Sequence, residues 1–76
     1  MLLHTAMKVA TWNVNSIRAR HQHVMDWLDA RQPDVLCLQE LKATRDAVPF
    51  EELRESGYAA AVLGQKTYPG VAILRR

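Results

Sequence analysis

Two asparagines and one glutamate stand where chemistry is easiest to place. Asn13 and Asn15 lie where a strand-like run, Lys8 to Val14 (KVATWNV), gives way to a helical one. Glu40 closes a second apolar run, Asp34 to Gln39 (DVLCLQ), and Lys42 follows two residues later. The carboxyl edge of the strands in an α/β sheet is where ligands bind. If the two strands are parallel neighbours, Asn13 and Glu40 share one rim. A carboxylate with amide neighbours and open positions suits a hard, water-retaining cation such as Mg2+. The start of a helix also favours anions, phosphate included, and Arg18 lies one turn into the helix that follows Asn15. If the chain stays extended after Glu40, Lys42 points to the same side. Each feature also has a plainer reading. Asn13 and Asn15 serve equally as cap and turn residues, and Glu40 with Lys42 as a solvated surface pair.

The remaining reactive types are weaker candidates. His4, His21 and His23 have no partner at metal-ligand spacing and read as structural, with His23 facing water. Cys37 reads as a small core residue, since nothing near it in sequence would lower its pKa. Trp12 and Trp27 read as core. Tyr68, in the segment Lys66-Thr67-Tyr68-Pro69-Gly70, suits stacking on, or hydrogen bonding to, a nucleic-acid backbone.

The elements that must hold these residues are legible from period and punctuation. After the first strand, Asn15 or Ser16 is the N-cap of a helix from about Ser16 to Arg31, with Ile17, Val24 and Leu28 at helical spacing and Trp27 adjoining. Pro33 stops it, because the residue before a proline is pushed out of the α region. Asp34 to Gln39 is a buried strand. Leu41 to Val48 is loop-like, and Pro49 starts a short helix, Phe50 to Ser56, with Gly57 as its C′ residue. Tyr58 to Leu63 is a third strand, Gly64 to Gly70 a turn or loop, and Val71 to Leu74 opens a fourth strand. The order β-α-β-α-β-β makes an α/β or mixed sheet with a right-handed crossover between parallel strands. With helices on one side only, the other sheet face stays open and needs a second layer.

Composition sets the outer limits. The 76 residues are 49% hydrophobic and 24% charged, the balance of one small globular domain. A single cysteine excludes an internal disulfide, and no Cys/His cluster has zinc spacing. No apolar run approaches the roughly 18 residues of a membrane span. Residues 1–6 read as a disordered tail without signal-peptide character, and Met7 as an alternative start. The expectation is a soluble cytoplasmic protein with a reduced, buried thiol. Net charge is +2, distributed as +3 over residues 1–25, −4 over 26–55 and +3 over 56–76. The two basic ends can fold into one basic face.

Taken together, three blocks carry a resemblance. Ala10-Thr11-Trp12-Asn13-Val14-Asn15-Ser16-Ile17-Arg18-Ala19-Arg20 resembles the opening motif of the exonuclease III type of abasic-site (AP) endonuclease. Pro33-Asp34-Val35-Leu36-Cys37-Leu38-Gln39-Glu40-Leu41-Lys42 resembles its second motif. Gly64-Gln65-Lys66-Thr67-Tyr68, followed by Gly70-Val71-Ala72-Ile73-Leu74, resembles its third block. The blocks come in the family's order and spacing, and cover nearly all of residues 7–76.

The resemblance implies the N-terminal part of a four-layer α/β sandwich, with two sheets packed face to face and helices outside. It implies a DNA-repair phosphodiesterase of base excision repair, dependent on Mg2+ or Mn2+. Its partner would be double-stranded DNA with abasic sites or 3′ ends. By position, Glu40 matches the carboxylate that binds the catalytic metal, Asn13 the asparagine that orders the active-site network, and Asn15 a position close to the metal that is Asp in some members. Arg18 and Tyr68 match residues on the DNA backbone, and Lys42 a lysine beside the metal-binding glutamate. Pro69 departs from the family's more usual asparagine or serine, and bears on the loop's fine DNA contacts. The resemblance covers about the opening third of the family's length. The later tyrosine, the Asp/Asn pair that orients water and the terminal Asp–His pair have no counterpart here. The chain alone is therefore expected to be inactive, with the C-terminal part of the domain and the second sheet as its missing complement. Two alternatives stand beside this reading. One is another nuclease or a phosphatase on the same fold; the other is a non-catalytic interaction module working through the unfinished sheet.

Overall fold

The computed structural model describes residues 7–63 and 70–76. The tail 1–6 and the segment holding Lys66, Tyr68 and Pro69 lie outside the described residues. The strands are β1 (Val9–Asn13), β2 (Val35–Gln39), β3 (Ala59–Leu63) and β4 (Val71–Arg75), and the α-helices are α1 (Ile17–Arg31) and α2 (Phe50–Glu55). They follow the expected order. One unexpected element, a single 3-10 turn at Arg45–Ala47, lies inside the segment read as loop.

The four strands form one mixed sheet in the order β1-β2-β4-β3. β1 and β2 are parallel, with Val9 opposite Val35 and Asn13 opposite Gln39. β4 runs antiparallel to both β2 and β3. Because side chains alternate along a strand, this register sorts the residues into two faces. Leu36, Leu38, Ala72 and Leu74 point to one face and are buried. They meet Ile17, Val24 and Leu28 of α1 and Leu53 of α2 in a single core. Full burial of each leucine, isoleucine or valine among them contributes roughly 1.5–3 kcal/mol.

The opposite face carries Val9, Thr11, Val35, Cys37, Ile73, Ala61 and Leu63, and no described element covers it. Val9 is 63% and Leu63 60% exposed. The open face expected from the element order is present. It also corrects the expectation of a buried thiol, since Cys37 points to this face and is only half-buried.

The helix ends follow local chemistry. Ser16, rather than Asn15, caps α1: its Oγ accepts from the Ala19 N–H at 3.3 Å. At the other end Gln32 takes a left-handed conformation (φ 47°) rather than an extended one, which brings its N–H to the Leu28 carbonyl at 2.8 Å. α2 ends in a Schellman arrangement. The Tyr58 N–H bonds the Leu53 carbonyl, and the Gly57 N–H bonds the Arg54 carbonyl. Gly57 supplies the positive φ of 93° that this needs. Tyr58 is thereby turned inward, and its hydroxyl donates to the Pro33 carbonyl at 2.6 Å. Trp12 and Trp27 pack against the core as expected, and His23, though exposed, lies edge-on to Trp12 at 4.9 Å.

Candidate active site

The parallel pairing of β1 and β2 brings their carboxyl ends together, and the pairing continues past both strands. The Val14 N–H bonds the Gln39 carbonyl, the Ser16 N–H the Glu40 carbonyl, and the Ile17 N–H the Leu41 carbonyl, at 2.9–3.0 Å. From the other side, the Leu41 N–H donates to the Gly70 carbonyl at 3.2 Å. Leu41 itself is completely buried. The segment 39–41 is thus pinned between two neighbours, with a core residue as its anchor.

This anchoring changes the geometry expected after Glu40. The chain does not continue extended: φ is 53° at Glu40 and 52° at Lys42. Asn15 (49°) and Ser16 (101°) across the rim are also at positive φ. Left-handed backbone costs a non-glycine residue roughly 1–2 kcal/mol, and such residues gather at functional sites. Of the five non-glycine residues at positive φ among those described, four lie in these two loops.

The side chains at the rim are joined in two pairs. Asn13 Nδ2 donates to Glu40 Oε2, and Lys42 Nζ donates to Asn15 Oδ1. The Asn13 amide is oriented from both ends, because its Oδ1 accepts from the Asn15 N–H at 3.2 Å. Glu40 is half-buried, while Asn13, Asn15 and Lys42 are exposed. Glu40 and Lys42 do not form the surface pair that their spacing also allowed. Arg18 lies in the first turn of α1, close along the chain to Asn15, and is exposed. The N–H groups of Ile17 and Ala19 are taken by Leu41 and Ser16. Positive charge offered to an anion here therefore comes mainly from Arg18 and Lys42, and little from the helix end itself.

Among the described residues, the two basic ends of the chain meet in part: Lys8 joins Arg75 and Arg76, while Arg18 lies elsewhere. β4 is antiparallel, so Arg75 lies opposite Val35, and the Arg76 N–H bonds the Asp34 carbonyl. Lys8 meets Asp34 at the same end, its N–H on Oδ2 at 2.6 Å. Lys8, Arg75 and Arg76 thus mark the end of the sheet remote from Glu40, while Arg18 and Lys42 mark the near end. Tyr68, assigned to DNA contact from sequence, lies outside the described residues. His21 pairs with Glu52 of α2 at 3.0 Å, a contact between helices away from the rim.

Two residues that position the rim were missed from sequence. Gly70, at φ 76°, turns its carbonyl onto Leu41. Gln39 sits beside Asn13 on the open face and donates to Thr11 Oγ1 at 2.6 Å. Gly70 carried a signal, because a glycine opening a strand marks a special backbone position. Gln39 carried none.

The donor set suits a hydrated divalent cation. Among the described residues no three His, Cys, Asp or Glu side chains cluster, so a closed cage of the zinc type is excluded there. One carboxylate flanked by amides, with the remaining positions open to water, fits the coordination habit of Mg2+.

Comparison with known proteins finds relatives that share most of this chain. An exodeoxyribonuclease III of Haemophilus influenzae is 39% identical over 70 residues, which are 92% of this chain and 26% of that protein. A 3′ phosphatase NExo from Neisseria, solved bound to a product DNA hairpin, superposes with a TM-score of 0.85 at 48% identity, over 93% of this chain and 28% of that one. An AP endonuclease from Archaeoglobus fulgidus superposes with a TM-score of 0.83 at 41% identity, over 92% and 27%. The chain therefore spans about a quarter of the length of these proteins. The model of the Endonuclease/Exonuclease/phosphatase family matches residues 10–76, so the chain, with its paired asparagines and lone carboxylate at the strand ends, belongs to that family.

Proposed function

We propose that this chain carries the opening portion of a DNA-repair phosphodiesterase that hydrolyses DNA at abasic sites and 3′ ends with a divalent metal, Mg2+ or Mn2+. The observation that carries the reading is the joining of Asn13 to Glu40 at the carboxyl ends of two parallel strands. Glu40 would hold the ion through its carboxylate, with Asn13 and Asn15 as the nearest amides. A bound ion there supplies charge to stabilise the phosphate as it reacts. Asn13 orients Glu40, and Arg18 and Lys42 present positive charge to the DNA backbone, a role proposed for Tyr68 as well. Duplex DNA is the partner, and the cytoplasm the proposed location.

No general base is assigned among these residues. Activation of water requires one, so the 76-residue chain by itself is inactive in this reading. Joining it to the C-terminal remainder of the Haemophilus influenzae exodeoxyribonuclease III supplies the rest. The chimera is expected to nick abasic duplex only with Mg2+ or Mn2+, and to lose this in Glu40→Gln. Undiminished cleavage in Glu40→Gln, or activity only on phosphorylated lipids or sugars, overturns the proposal.

A second reading weights the 3′ end over the abasic site. The similarity to the Neisseria 3′ phosphatase, at 48% identity against 41% for the Archaeoglobus AP endonuclease, favours it. A duplex with a 3′-phosphate and one with an internal abasic site, offered together to the chimera, separate the two.

A further inference from the structure

Glu40 and Lys42 lie two residues apart on one segment, with left-handed backbone at both. A half-buried carboxylate and an exposed ammonium this near in sequence attract one another. They are nevertheless kept apart. Among the described residues the contacts of carboxylates with basic side chains are His21–Glu52 and Glu51–Arg54. Each rim charge takes a neutral amide instead: Glu40 accepts from Asn13, and Lys42 donates to Asn15. Positions 13 and 15 of one segment thus face 40 and 42 of the other, and the backbone bonds through Gln39, Glu40 and Leu41 hold that register. An amide satisfies the hydrogen bonding of a charge without cancelling it. A carboxylate at position 15 would have cancelled the charge of Lys42.

We propose that Asn15 is a positioning residue for Lys42: it holds the ammonium off Glu40, so that the rim keeps an uncancelled anion for a divalent cation beside an uncancelled cation for a phosphate. The inference rests on the metal reading of Glu40 given above. Lys42 released from Asn15 falls onto Glu40 and competes with the metal for the same carboxylate. Asn15 thereby favours metal binding by restraining a competitor.

The test is a double-mutant cycle on the 76-residue chain, with Mn2+ as the probe and no nucleic acid present. Asn15→Gly removes the amide and tolerates the positive φ at that position. Free Mn2+ is read by electron paramagnetic resonance for the parent, Asn15→Gly, Lys42→Ala and the double variant. Asn15→Gly is expected to weaken Mn2+ binding about two- to fivefold while Lys42 is present, the range of an exposed ion pair. In the Lys42→Ala background the loss is expected to be clearly smaller, leaving only what the Asn15 amide itself contributes beside the ion. Equal loss in both backgrounds means that Asn15 acts on the metal or the loop directly, and overturns the proposal; so does no loss in either. A second measurement needs no metal. Carbon-13 relaxation at Lys42 Cε is read in a Glu40→Gln background, where no carboxylate can recapture the ammonium: an ordered methylene is expected in Glu40→Gln alone and a freed one when Asn15→Gly is added, and equal order in both overturns the proposal. If the parent chain takes up no Mn2+, the metal reading of Glu40 fails, while the relaxation experiment still decides whether Asn15 holds Lys42.

Discussion

Replacing Tyr58 by phenylalanine tests how the second helix is tied to the sheet. Tyr58 is 4% exposed, and its hydroxyl donates to the Pro33 carbonyl at 2.6 Å. Pro33 is also buried. The substitution keeps the ring, so the apolar contacts with the core are retained, and removes only the donor. A made hydrogen bond contributes about 0.5–1.5 kcal/mol net, and a buried acceptor left without its partner costs about 1–3 kcal/mol. The expected loss is therefore about 1–2 kcal/mol, against roughly 4–11 kcal/mol for a domain of this size. With a urea dependence of about 1 kcal/mol/M, the unfolding midpoint should fall by about 1–2 M with an unchanged slope. Tryptophan fluorescence reads the transition. A variant whose midpoint matches the parent would refute the structural role given to this bond.

The same residue predicts an alkaline limit. Burial raises the pKa of Tyr58 above its ordinary value; Arg76 nearby lowers it and Asp34 raises it. A folded-state pKa above the unfolded one means that the contribution is fully present below the ordinary tyrosine value of about 10. It is lost as pH rises through the folded value. The parent should therefore lose stability in that alkaline window more steeply than Tyr58→Phe. Equal slopes for the two would contradict the assignment.

The remaining predictions concern the rim and the two faces. Gly70→Ala should cost about 1–2 kcal/mol from its φ of 76° alone, since the added methyl would meet Leu41 at an ordinary 3.5 Å; an unchanged urea midpoint refutes it. Ser16→Ala should cost about 0.5–1 kcal/mol by removing the cap of α1, read in the same assay. Leu36→Ala, at a fully buried position, should cost about 2–5 kcal/mol, and a smaller loss would mean that the core closes over the gap. Cys37, half-buried on the open face, should react with a disulfide reagent in the folded chain. A thiol that becomes reactive only in denaturant would show that face to be covered in solution.

Several features of the fold were legible because they depend on neighbours in sequence. Ile17, Val24 and Leu28 announced the buried stripe of α1 by spacing alone, and they are its buried residues. Pro33, Pro49 and Gly57 marked helix ends through backbone restrictions that act within one or two residues. Asp34 to Gln39 was legible as an apolar strand, but not which alternate set of its side chains would be covered. That is why Cys37 was expected inside: a strand shows two faces, and only the placement of α1 and α2 against Leu36 and Leu38 decides between them.

The residue types at the rim were set by the sequence itself: two amides after one strand, a carboxylate and a lysine after another. Their local order already implied a shared edge if the strands were parallel. Who pairs with whom was decided only by tertiary structure. Leu41 is drawn into the core, and the backbone bonds from Ser16, Ile17 and Gly70 close around it. The residues on either side are thereby forced into left-handed backbone that neither glutamate nor lysine prefers. That conformation turns Glu40 toward Asn13 and Lys42 toward Asn15, instead of toward each other. The meeting of Lys8 with Arg75 and Arg76, apart from Arg18 and Lys42, had the same origin. Charge counts along the chain cannot see that β4 runs antiparallel to β2, and that reversal carries Arg75 and Arg76 to the end of the sheet away from Glu40.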